Sequence, residues 1–247
     1  MALIDLRALE KAVVEARRAE LDQDARGLLR WARGLLGDRL MMTTSFQKGG
    51  MILLHMVREE IPSLPVYFID TGFHFAETIE FARRIEREWG LRIIFERPAL
   101  PAAAFLKTYG TDIHAVAPDF CCLLNKIEPA DRILSRHKGW ITAIRRDQAR
   151  TRSRAQALEI LDHGKLKVQP LASWTRERVA SYLHEHDVPV HPLHSKGYPS
   201  IGCAPCTRPC NDPANERGGR WSGQMIECGL HTRWQRRESA PAERTAC

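Results

Sequence analysis

The sequence predicts an α/β protein with a mostly parallel sheet and helices on both faces. Three observations lead there. Short runs of β-branched and aromatic residues alternate with helical periodicity. The chain of 247 residues is 44% apolar, enough to fill a sizeable core. No run of eighteen apolar residues interrupts the pattern. Taken in order, residues 8–36 repeat Leu, Ala and Val at helical spacing, which predicts an N-terminal helix or helix pair. "LMMTTSFQKGGMILLHMV" reads as a strand, a turn with two glycines and an apolar helix. "LPVYFID" is a second strand, and the helix after it carries Glu77 in its first turn and Gly90 at its C-cap. "LRIIFE", "WITAIR" and "KVQPL" give the third, fourth and fifth strands. In "FCCLLNKIEP" two cysteines stand at the start of a further helix.

The N-terminus mixes acids with bases and shows no apolar core or small-residue cleavage site, so a soluble, cytoplasmic chain without a membrane partner is expected. Seven cysteines, an odd number, argue against a disulfide scaffold and for metal or redox chemistry. The net charge of +7 fits either a nucleic acid or a smaller anion held by a few arginines. Most of the surplus lies in "RRDQARTRSR" and in the tail "RWQRRESAPAERTAC". Residues 1–235 are expected to form one α/β unit with an N-terminal helical segment and a C-terminal catalytic segment at about 210–231. Residues 236–247 are expected to be disordered.

Several stretches have chemical meaning. The loop Thr44–Gly50 between strand and helix would present backbone N–H groups at the positive end of a helix dipole, where a phosphate or sulfate is stabilised; the plainer reading is a β-to-α turn. Asp70 at a strand end would meet a ribose or cap the following helix. The adjacent thiols Cys121 and Cys122 read alone as small core residues, since a ring closed between neighbours is strained. With Cys203 and Cys206 of "SIGCAPCTRPC" they make four thiols, the number that an iron–sulfur cluster or a structural zinc takes. Cys210 offers a rival C-x-x-C-x-x-x-C set that spacing does not exclude. Cys228, in "ECGLH", reads either as a spare buried cysteine or as a nucleophile with Gly229 and His231 beside it.

In the order "IDTG", "HFAET", "CC…KIEP", "WITAIRRDQARTR", "GYPSIGCAPCTRP", "ERGGRW" and "ECGLH", the chain resembles the assimilatory adenylyl-sulfate (APS) reductases of bacteria, relatives of the 3′-phosphoadenylyl-sulfate (PAPS) reductases. The likeness runs from about residue 40 to residue 231. It implies an adenine-nucleotide alpha-hydrolase-like sheet, related to the PP-loop proteins. It also implies a 4Fe-4S cluster on Cys121, Cys122, Cys203 and Cys206. By that resemblance, the thiolate of Cys228 attacks the sulfate sulfur of APS, expels AMP and leaves an S-sulfocysteine, from which thioredoxin or a glutaredoxin-like dithiol releases sulfite. Substrate contacts then fall to Ser45, Phe46, Lys126, Arg145, Arg217 and Arg220, and the readings of the residues above add Gly49, Gly50, Asp70 and His231.

The chain departs from that pattern in three places. Its loop reads "FQKGGM", with Lys48, where the family has an acid-containing stretch such as "GAED". Asn125 stands where an arginine commonly precedes the lysine. "SGQMI" replaces an aromatic run before Cys228. The choice between APS and PAPS therefore stays open, as does assembly into a homo-oligomer. Two other classes compete: a cluster-stabilised nucleic-acid binder, which lacks a helix-turn-helix, RRM or C2H2 signature, and an ATP-using PP-loop ligase or thiolase, which lacks its "SGGxDS" loop.

Overall fold

A computed structural model describes residues 5–212 and 215–231. The tail expected to be disordered, with Cys247, lies outside the described residues. The N-terminal pair comprises α1 (Leu6–Arg18), capped by the Asp5 carboxylate, and α2 (Ala25–Leu36), capped by Asp24. Then follow β1 (Leu40–Thr44), α3 (Lys48–Glu60), β2 (Val66–Ile69), α4 (Ala76–Trp89) and β3 (Ile93–Glu96). Gly90 ends α4 at φ +63°, a left-handed C-cap that suits glycine. Three short helices, α5 (Ala102–Tyr109), α6 (Ile113–Val116) and α7 (Pro118–Cys122), lead through a π turn at Leu123–Ile127 into α8 (Glu128–Ser135). Then come β4 (Gly139–Ile141), β5 (Leu158–Leu161), β6 (Lys165–Val168) and α9 (Arg176–Glu185), followed by short turns up to residue 231.

The six strands form one sheet in the order β3-β2-β1-β4-β6-β5. All pairs are parallel except β5 with β6. Met42 is the register point, facing Val66 on one side and Ile141 on the other. Alternate residues of each strand bury on opposite faces. Leu40, Met42, Val66, Phe68, Ile141 and Val168 join the large core under the helices, whereas Met41, Tyr67 and Trp140 pack with Ile133 and Leu134 of α8. Burial on both sides explains why these strands are apolar throughout.

The order of the strands sets the position of the site. From β1 the chain runs outward to β2 and β3, then returns across to β4 on the other side. Such a reversal opens a crevice beyond the carboxyl ends of the central strands, where ligands of open α/β sheets bind. The antiparallel edge strand β5 and helix α9 were not among the expected elements.

Candidate active site

A cleft of about 180 Å³ opens at that reversal. Its walls include Ser45, Gly49 and Gly50 of the β1–α3 loop, Lys126 of the π turn, Arg217, Arg220, Cys228 and His231. Eight of the eleven catalytic and substrate-contact residues expected from the sequence thus converge.

The loop is built for close approach. Gln47 precedes α3 without a side-chain cap, so the first N–H groups of the helix keep no local acceptor from that residue. A Cβ on Gly50 would lie 2.9 Å from Thr44 Oγ1, and one on Gly49 3.3 Å from Ala143, so both positions leave little room for a side chain. Phe46 takes φ +54° in this turn, and its ring packs edge-on against Phe68 and Phe81.

Phe46 is therefore a core residue, and its side chain lies outside the cleft wall. Two more expected contacts are placed differently. Asp70 accepts from Gly72 N at 3.1 Å and pairs with Arg97 Nε at 3.1 Å, so it closes a turn. Arg145, 2% exposed, is held between Asp147 at 2.9 Å and Glu216 at 3.2 Å and faces a neighbouring cleft. An isolated buried guanidinium is costly, and these carboxylates occupy it. Sequence position did not reveal those partners.

Next to the main cleft lies a smaller cavity lined by Cys121, Cys122, Cys203 and Cys206, with Phe73, His114 and Asn125. Lys126 lines both. The π turn brings this about: its wide backbone follows the cysteine pair directly and carries Asn125 and Lys126. On the other side, Cys203 bridges His74 in extended pairing, and Ala204 N donates to Phe73 O at 2.7 Å. Burial pushes the Cys121 thiol up to about 11, with Cys203 and Cys206 adding to it, and the Cys122 thiol up to about 12. Burial opposes the Lys126 ammonium, but the sulfurs of Cys203, Cys122 and Cys228 outweigh it and raise its pKa. Cys210 lies outside this cavity, with its Sγ 3.9 Å from Asn215 O.

Four thiols line one cavity, the number that a cluster takes. Among the described residues no three His, Cys, Asp or Glu side chains close on a single metal position. A cubane takes one thiolate per iron and spreads its four ligands farther apart than zinc does. Asn125 Nδ2 and Thr71 Oγ1 already stand 3.7 and 3.2 Å from the sulfurs of Cys121 and Cys203, as outer hydrogen bonds to cluster sulfur do.

The main cleft holds unsatisfied polar atoms. Arg217 Nε, Arg220 Nε, His74 Nδ1 and His231 Nδ1 are buried without a partner. Burial lowers Arg217 to about 10, helped by the charge of Arg152, and lowers His74 to about 4. His74 is thus a neutral ring at neutral pH. Gly202 makes room for Arg220, whose Nη2 would lie 2.1 Å from a Cβ there.

Sequence reasoning missed the residues that hold the last segment in place. Lys167 on β6 donates to His231 O at 3.2 Å, and Arg152 pairs with Glu227 at 2.7 Å. Arg152 lies in the basic stretch already singled out and Glu227 begins "ECGLH", but nothing local shows that they meet across 75 residues.

Residues 39–209 match the family described as the phosphoadenosine phosphosulfate reductase domain. The chain belongs to this family. The reductase resembles the adenosine 5′-phosphosulfate reductase of Halalkalibacterium halodurans, 37% identical over 91% of this chain and 98% of the relative. It also resembles that of Streptomyces coelicolor, 38% identical over 90% and 94%. Among solved structures it is similar to the PAPS reductase of Candida auris, with a TM-score of 0.69 and 26% identity over 84% of this reductase and 99% of that chain. The FMN adenylyltransferase of Candida glabrata, 16% identical with a TM-score of 0.54, shares the fold alone. No described helix of the reductase is long and apolar enough to cross a membrane.

Proposed function

We propose that this reductase converts APS to sulfite and AMP, with Cys228 as nucleophile. The observation that carries the reading is the cleft itself. Its lining joins Ser45, Gly49 and Gly50 of the β1–α3 loop to Lys126, Arg217 and Arg220, with Cys228 among them. Phosphosulfate is anionic, and buried cations with free hydrogen-bonding capacity suit it.

In the first step the Cys228 thiolate attacks the sulfate sulfur. A sulfur–sulfur bond forms, the bond to the phosphate oxygen breaks, and its electron pair leaves with AMP. A thioredoxin or glutaredoxin-like dithiol then attacks Cys228 Sγ, and the electron pair of the sulfur–sulfur bond leaves with sulfite. The second thiol of that partner frees Cys228, and the partner ends as a disulfide. Lys126, Arg217 and Arg220 hold the phosphosulfate, and the β1–α3 loop with Ser45 supports its phosphate. His231 contributes a neutral ring, since burial keeps its pKa well below the usual range.

Cys121, Cys122, Cys203 and Cys206 would hold a 4Fe-4S cluster. When bound, the cluster supplies a fixed charge next to Lys126 and ties the π turn to the 203–206 loop. PAPS is the second reading, favoured by the likeness to the Candida auris enzyme. Sulfite release measured from APS and from PAPS, each with thioredoxin, tests both. Release from APS is expected to dominate, and release from neither would overturn the proposal.

A further inference from the structure

The segment 224–231 contains no helix or strand of its own, so side chains must hold Cys228 over the cleft. Glu227 is the best connected of them. Its carboxylate accepts from Arg152 Nε at 2.7 Å and Nη2 at 2.9 Å, a bidentate fork. Thr151 Oγ1 donates at 3.1 Å and Arg217 Nη2 at 3.3 Å. Burial opposes the charge on Glu227, yet the Arg152 hydrogen bond and charge hold its pKa below the usual carboxylate range.

This arrangement is costly for anion binding. The cleft wall carries Lys126, Arg152, Arg217 and Arg220 against Glu216 and Glu227. A carboxylate beside the nucleophile repels an anionic substrate and takes up two donors of Arg152 and one of Arg217. Its benefit must lie elsewhere, and its neighbour in sequence is Cys228.

We propose that Glu227 is a positioning residue, clamped by Arg152, that fixes Cys228 over the cleft for attack. The inference deepens the proposed reaction and rests on that reading for its kinetic consequence. The clamp itself is independent of the substrate. Arg217 is shared, so a bound phosphosulfate draws it from Glu227 and leaves Arg152 as the main hold.

Hydrogen exchange of the 225–231 amides, measured without substrate on full-length protein, tests the clamp. Glu227→Gln and Arg152→Gln should each raise exchange there by about tenfold or more, as expected for loss of charged hydrogen bonds. The double variant should add little to either single one, and exchange across the sheet strands should stay unchanged, showing that the fold is intact. Unchanged exchange at 225–231, or additive effects in the double variant, would overturn the clamp. With APS, Glu227→Gln should keep or lower KM, because a repelling charge is gone, while the single-turnover rate of Cys228 sulfonation falls. Full-rate sulfonation in Glu227→Gln would overturn the positioning role. A wild-type protein inert toward APS would overturn the reading of the reaction and leave the exchange result to decide the clamp.

Discussion

Trp140 on β4 and His231 lie face to face, with ring centroids 5.1 Å apart and planes 9° from parallel. Trp140 Nε1 donates to Thr43 Oγ1 at 2.7 Å, so the ring is fixed to the strand that leads into the anion loop. The stack thereby ties the segment that carries Cys228 to the centre of the sheet. Aromatic pairs contribute about 0.5–1.5 kcal/mol beyond area burial. His231→Ala should therefore raise amide exchange at 227–230 by roughly three- to tenfold. No change would show that the stack carries no weight.

The four-thiol cavity predicts iron content. Anaerobically purified protein should hold about four irons per chain and little zinc. Serine at Cys121, Cys122, Cys203 or Cys206 should each lose the iron, whereas Cys210→Ser should keep it, because Cys210 stands outside the cavity. Iron loss in Cys210→Ser with retention in Cys121→Ser would reassign the ligands.

Arg217 and Arg220 predict a loss of affinity. Each has a buried Nε without a partner, and Arg220 is 6% exposed. Alanine at either position should weaken APS binding roughly ten- to a hundredfold, the range for charged hydrogen bonds. Calorimetric titration showing unchanged affinity in both variants would remove them from the site.

His191 predicts an acid-sensitive fold. Its Nδ1 accepts from Leu193 N at 3.2 Å and its Nε2 stands 2.9 Å from Thr78 Oγ1. A proton on Nδ1 would set two N–H groups against each other. Burial first, then the charge of His194, lowers its pKa from 6.5 to about 4. The folded value lies below the unfolded one, so the unfolded chain binds the extra proton in between and stability falls as pH drops from about 6.5 to about 4. The slope from this residue is at most ~1.4 kcal/mol per pH unit. In urea melts across that window, His191→Asn should show a flatter slope than the wild type; equal slopes would contradict the assignment.

The sheet was legible because its strands are apolar on both sides and separated by helices with readable ends, as at Gly90, which closes α4 with φ +63°. β5 escaped notice because an antiparallel edge strand such as "LEIL" has little apolar run of its own, and its pairing with "KLKV" is a tertiary fact. Cysteine spacing and "ECGLH" located the thiols, and the loop glycines located one part of the cleft lining. The placement of the Phe46, Asp70 and Arg145 side chains was not legible, because each is held by a partner far away in sequence, Phe81, Arg97 and Glu216 in turn, and Phe46 also by a left-handed turn at φ +54°. Glu227 and Arg152 went unnoticed for the same reason.

The most direct test of the central claim is a mass measurement on Cys228. Wild-type protein mixed with APS in the absence of reductant should gain one sulfo group, located on the peptide that contains Cys228, and thioredoxin should remove it with release of sulfite. Cys228→Ser should keep its iron and bind APS yet gain no mass. An adduct on another cysteine, or sulfite production by Cys228→Ser, would contradict the account.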